Sequence, residues 1–290
     1  MTLVNNADAF RLGSSVVNKL YLGATQVWPA AAPAGWVGDL AGFNTDYSLL
    51  VAYPCNGDRT ELNGNVVWNT QGSFAASPVS GYSGQGLATA SGDFTNTLWD
   101  NRVTTDAGHM LYVPADLSTG HYGLFHNGGG TNAQCGAIRS LNNGETIEVG
   151  ITHNDAGSLH DETSFVLPEA MKGTWIVVSY QYITEDGDGD STPNGSNLAI
   201  WVDGVMRSSV PRVHELDYGS GNPRLGGSGG DPYFGWGNDG DISSSNGLLI
   251  ANFWAANPTG SNSTTTTGAV VGLGDAAHLS FYNRMTAGTA

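Results

Sequence analysis

Hydrophobic and polar residues alternate along this chain in short runs, and the first pattern occurs twice. Phe10-Arg-Leu12-Gly13-Ser-Ser-Val-Val17 is followed by Leu20-Tyr21-Leu22-Gly23-Ala-Thr-Gln-Val27, which closes on Trp28. Each unit is a short alternating apolar run, then Leu-Gly with small residues, then Val, which predicts strand, tight turn and strand. Hairpins this small bury no core of their own. The segment therefore reads as an attachment or oligomerisation element that needs a partner surface, with Phe10, Leu12, Gly13, Leu20, Tyr21, Leu22, Gly23, Val27 and Trp28 as its docking residues. The competing reading makes it the first two strands of the next domain. Against that stands PAAAPAG at 29–35, whose Ala and Pro content suits a semi-stiff, non-pairing connector. The resulting division is an attachment segment over 1–28, a linker over 29–36 and one domain over 37–290.

Within that domain, apolar or alternating runs occur at SLLVAYPC (48–55), HMLYVPA (109–115), GLFHN (123–127), CGAIRSL (135–141), TIEVGITHN (146–154), WIVVSYQYI (175–183), LAIWVDGVMRSSV (198–210), GLLIANFWAA (247–256) and AHLSFYNRM (277–285). Gly, Asn, Asp, Ser and Pro clusters separate them, as expected of turns between antiparallel strands. No segment shows a sustained helical period. Short, regularly punctuated strands without helices predict an all-β sandwich.

Composition narrows the class of partner. A length of 290 residues fits one large β domain with an appendage or two ordinary domains, and 42 glycines with 12% charged residues lean to all-β. The formal net charge of −16 disfavours nucleic acid and anionic membranes. No apolar stretch approaches the roughly 18–20 residues that span a bilayer, and MTLVNNADAFRLG lacks the basic and apolar regions of a secretory signal. The expectation is a chain that stays in the cytoplasm or leaves it inside a particle when the host lyses. Cysteine usage leaves two readings of Cys55 and Cys135, a disulfide or two reduced, buried thiols, and an intracellular assembly site favours the thiols.

Two stretches carry resemblances. The pattern from Phe10 to Pro29 is similar to short N-terminal segments of tailed-bacteriophage structural proteins, of the tail-fibre, minor tail and head-fibre or decoration types. In residues 175–210, a Trp-led strand and a polar loop lead to a strand ending Val202-Asp203-Gly204; NPRLGGS (222–228) and FYNRMT (281–286) follow. That order resembles the concanavalin A-like, laminin-G-like jelly-roll β-sandwich family, with 277–286 as its terminal strand. Together the resemblances imply a structural component of a virion, bearing a lectin-like domain behind a short N-terminal β-hairpin segment. Its implied partners are other virion proteins, further copies of itself, with a trimer favoured, and host-surface glycans. A secreted or cell-surface glycan-binding module of a marine bacterium is the alternative, and a glycan depolymerase the third reading.

Candidate chemistry is sparse. Glycosidases built on such sandwiches set two carboxylates on one face of a strand, whereas Glu145 and Glu148 are an odd number of positions apart. His121, His126, His153, His160 and His214 show no zinc-ligand spacing, and no serine sits in a nucleophile-elbow motif. The chain therefore reads as a non-enzyme. Asp186, Asp188 and Asp190 alternate in a Gly-rich loop, a spacing that converges oxygens on calcium; the other reading is an acidic hairpin tip that deters edge pairing. Asp231, Tyr233, Trp236 and Asn238 mix rings and acceptors as sugar sites do, or plug the end of the sandwich. NPTGSNSTTTTG (257–268) reads as an exposed polar loop.

Overall fold

The computed structural model describes residues 10–12, 15–17, 20–22, 25–28, 47–53, 68–70, 73–79, 84–88, 92–94, 106–129, 132–141, 144–152, 160–181, 197–211, 224–225, 246–258 and 273–286. Both N-terminal units are hairpins. Strand β1 (Phe10–Leu12) pairs antiparallel with β2 (Ser15–Val17), and β3 (Leu20–Leu22) with β4 (Thr25–Trp28). Each forms a two-stranded sheet of its own.

The rest is a sandwich of two antiparallel sheets. The first comprises β5 (Tyr47–Tyr53), β7 (Phe74–Ala76), β8 (Gln85–Leu87), β10 (Asp106–Val113), β15 (Thr174–Gln181), β16 (Asn197–Val202), β17 (Val205–Pro211) and β19 (Leu249–Pro258). Its strand order is β17-β16-β15-β10-β19-β8-β7, with β5 also paired to β19. The second runs β14-β13-β12-β11-β18-β9-β6. In chain order these are β6 (Trp68–Thr70), β9 (Gly92–Phe94), β11 (Gly120–Gly129), β12 (Asn132–Leu141), β13 (Gly144–Thr152), β14 (His160–Val166) and β18 (Arg224–Leu225).

Alternation sorts the side chains. In β10, Ala107, Leu111 and Val113 enter the core between the sheets, where they meet Leu124, Phe125, Ile147 and Leu225 of the facing sheet. Phe125 anchors that core, with its ring 5.1 Å from Tyr180 and 6.0 Å from Phe253. At one side the edge strands close on each other: Thr163 Oγ1 and Ser208 Oγ lie 2.6 Å apart, and the Arg207 guanidinium sits 5.6 Å from the Phe165 ring centre.

The opposite face of the eight-stranded sheet is also covered. Met110, Trp175, Val177, Leu249, Ala251 and Trp254 form a second apolar layer under Phe281 and Met285. Those two residues belong to an α-helix, α1 (Asp275–Thr286), and this corrects the expectation of a terminal strand over 277–286. The sequence alternation Ala277, Leu279, Phe281 suggests a strand, yet Leu279 is 45% exposed while Ala277, His278, Phe281 and Met285 are buried. That spacing is one stripe of a helix. The chain turns into it at Gly274, whose φ is +75° and whose carbonyl accepts the Ala277 amide at 3.1 Å.

A bulge makes the second layer possible. Asn252 in β19 has φ +49°, and the pairing with β10 slips between Gly108 and Met110. Before it Ile250 faces the core; after it Phe253 does, so Trp254 turns to the helix side. The Asn252 amide donates to Met110 Sδ at 2.9 Å. Across β10, Gly108 makes room for the indole: a Cβ there would lie 2.5 Å from Trp254 Nε1 and 2.8 Å from both Trp254 Cε2 and Ser179 Cβ. Gly108→Ala is expected to cost about 1–3 kcal/mol, read as a lower urea midpoint; an unchanged midpoint would mean the indole has room to shift.

Candidate functional site

The tightest convergence of polar side chains lies under α1. His278 Nε2 is 3.0 Å from Asp106 Oδ1, and His278 Nδ1 is 2.7 Å from Ser179 Oγ. A carboxylate only accepts, so Nε2 carries a hydrogen, and in the singly protonated ring Nδ1 accepts the Ser179 hydroxyl. Asp106 Oδ2 accepts the Leu273 amide at 3.1 Å. Trp201 stacks on the His278 ring, 3.7 Å between centres and 10° from parallel, and its indole donates to Asp275 Oδ1 at 2.8 Å. Sequence spacing gave no sign of this chain, because its members are 73 and 99 positions apart along separate elements.

Serine, histidine and aspartate in series are the components of a hydrolytic relay. Here Asp106 and His278 are 0% exposed and Ser179 is 2% exposed, so the chain is sealed between the helix and the sheet. What it does as it stands is fix α1 on the sheet at one rotation and one register.

A second polar cluster sits at the Val202-Asp203-Gly204-Val205 turn. Asp203 and Gly204 have φ +52° and +72°, the two left-handed positions of a type I′ hairpin. The Asp203 amide donates to the Val177 carbonyl at 2.8 Å, and Asp203 Oδ1 accepts the Val177 amide at 2.9 Å. This pairing is why Asp precedes Gly: its side chain continues the ladder that β16 leaves. Burial pushes the Asp203 carboxyl up, opposed by the Val177 amide and by Arg207. Tyr282 of α1 is raised as well, by burial and then by the Asp203 charge. The helix lies close over the turn, since a Cβ at Gly204 would lie 2.9 Å from Leu279 Cδ1.

His109 is a third buried polar group, within the core between the sheets. Its Nδ1 donates to the Met110 carbonyl at 3.2 Å, leaving Nε2 to accept the Tyr180 hydroxyl at 3.1 Å. Burial pushes its pKa down to about 4, with the Met110 hydrogen bond opposing.

Of the residues singled out by sequence, Asp186, Asp188, Asp190, Asp231, Tyr233, Trp236, Asn238, Gly13, Gly23 and Cys55 lie outside the described residues. The strands that lead to the two loops are described. The chain leaves β15 at Gln181, which pairs with Asp106, and re-enters at Asn197; Asp106 in turn pairs with Ala256. It enters β19 at Leu249, opposite Tyr112 near the far end of β10. Phe10, Leu12, Leu20, Tyr21, Leu22, Val27 and Trp28 all occupy hairpin strands. Among the described residues no three His, Cys, Asp or Glu side chains cluster as metal ligands, and no helix is long and apolar enough to cross a membrane.

The sequence matches no family model and no curated protein. The fold does have solved counterparts. The binding domain of botulinum neurotoxin DC, solved with rat synaptotagmin II, superposes with a TM-score of 0.52 at 9% identity, over 82% of this chain and 52% of that one. The binding domain of botulinum neurotoxin serotype D gives 0.52 at 12% identity, over 81% and 50%. This chain therefore spans about half the length of those structures. At such identity the likeness is one of fold, and it supports an all-β sandwich.

Proposed function

We propose that this chain is a non-catalytic binding module displayed on a tailed-bacteriophage particle. The N-terminal hairpins attach it, in three copies, to other virion proteins, and the sandwich contacts the host surface. The observation that carries this reading is the pair of hairpins over 10–28, each paired only with itself among the described residues. Two-stranded ribbons of three or four residues are unstable alone, so a surface outside them must complete them. The likeness of the segment to phage structural proteins supports a virion surface as that partner. The sandwich shares its fold with neurotoxin binding domains, one of them solved in complex with rat synaptotagmin II. The Ser-His-Asp series found among the described residues is sealed, which favours adhesion over hydrolysis.

Removing residues 1–35 tests the proposal. The expected product is a soluble, folded sandwich that no longer sediments with particles, while the full chain does. Normal loading of the truncated chain would refute attachment through the hairpins.

A further inference from the structure

The two N-terminal hairpins are built alike. Strands β1 and β2 pair Phe10 with Val17, Arg11 with Val16 and Leu12 with Ser15, while β3 and β4 pair Leu20 with Trp28, Tyr21 with Gln26 and Leu22 with Thr25. Partners across an antiparallel ribbon share a face, and successive positions alternate. Phe10, Leu12 and Val17 therefore occupy one face of the first hairpin with Ser15, and Leu20, Leu22 and Trp28 one face of the second with Thr25. The irregularity between Leu20 and Tyr21 skips Val27, the residue that repeats Val17, and sets Trp28 opposite Leu20 in its place. The second unit keeps the apolar pattern of the first. Only Asn18 and Lys19 separate the hairpins, so the Cα atoms of Val17 and Leu20 are at most about 11 Å apart. The two must land on one surface or on two that adjoin.

Charge narrows the choice of surface. Arg11 and Lys19 are basic, and no Asp or Glu occurs from Ala9 to Gly38, although the chain holds 26 acidic residues and a net charge of −16. Two acidic surfaces repel each other, and a segment of opposite sign is what draws them together. We propose that the hairpins are two copies of one docking unit, seated side by side on an acidic surface of a neighbouring virion protein. Each unit offers a small apolar face, and binding of one holds the other at high effective concentration over the adjoining site. That is the use of a doubled motif. The inference rests on the reading of residues 10–28 as the attachment segment, and it adds the chemistry of the partner.

The test is co-sedimentation of the full chain with purified particles that lack it, over a range of salt. Affinity is expected to fall about tenfold or more between about 0.05 and about 0.5 M NaCl, and by a similar factor when Arg11→Glu is combined with Lys19→Glu. Arg11→Lys with Lys19→Arg should bind as the unaltered chain does. Phe10→Ser with Leu12→Ser, and separately Leu20→Ser with Leu22→Ser, should each weaken binding about tenfold or more, because one hairpin alone loses the gain from tandem binding. Every variant should keep the unfolding midpoint of the sandwich, since neither hairpin pairs with its sheets. Equal binding by the charge-reversed chain overturns an acidic partner, and unchanged binding after loss of either apolar pair overturns the doubled unit. Salt-sensitive self-association without particles, abolished by Arg11→Glu with Lys19→Glu, would put the acidic surface on another copy of this chain and overturn the neighbouring protein as partner. Failure of the full chain to sediment with particles at any salt would instead refute the attachment itself.

Discussion

His278→Ala is expected to lower the unfolding free energy by about 3–5 kcal/mol, the cost of removing one partner from a buried polar pair. The imidazole is the link between three elements: it reaches Asp106 on β10, Ser179 on β15 and, by stacking, Trp201 on β16. Its loss also opens a space beside Trp254, whose ring centre is 6.1 Å from that of His278 and 4.9 Å from that of Phe281. Because Asp106 and His278 act on each other, the double substitution with Asp106→Ala should cost less than the sum of the two single ones. Urea denaturation measures the loss, and limited proteolysis should show cleavage within 273–286 before the strands are cut. A change below about 1 kcal/mol would mean that the apolar stripe alone holds the helix.

The second large effect is on acid stability. The folded chain holds His109 neutral, with its pKa at about 4 against an ordinary value of 6.5. Between those values the unfolded chain binds a proton that the folded chain refuses. The contribution is thus fully present above about pH 6.5 and is lost as the pH falls to about 4, amounting to roughly 3 kcal/mol. His109→Gln keeps a donor and an acceptor for Met110 and Tyr180 without the titration. It should unfold at a urea midpoint that changes less between pH 7 and pH 4 than that of the unaltered chain. Parallel curves for the two proteins would assign the acid sensitivity to other groups.

The sandwich was legible because strand periodicity is local. Each run from Ser48 to Ala256 overlaps a strand, and Val202-Asp203-Gly204 marks its hairpin, since Asp-Gly suits a turn with two left-handed residues. Strand β14, HDETSFV, escaped notice: it is an edge strand in which Glu162, Ser164 and Val166 are exposed and, among the side chains described, Thr163 alone is buried. The helix was misread for a different reason. Its apolar residues fit alternation as well as a helical stripe, and what decides between them is the groove that Trp254 and Met110 offer from distant strands. The polar chain below it was illegible on the same ground, because Asp106, Ser179 and His278 become neighbours only once the helix docks. At the N-terminus the doubled motif did announce two hairpins, since register in so short a ribbon is set by its own turn.

Display on a particle through residues 1–28 can be seen by electron microscopy of purified particles labelled with an antibody raised against residues 37–290. Label is expected at a defined position on particles carrying the full chain, and none when residues 1–35 are absent. Label distributed only over the bacterial surface, with particles bare, would contradict it and place the sandwich on the cell.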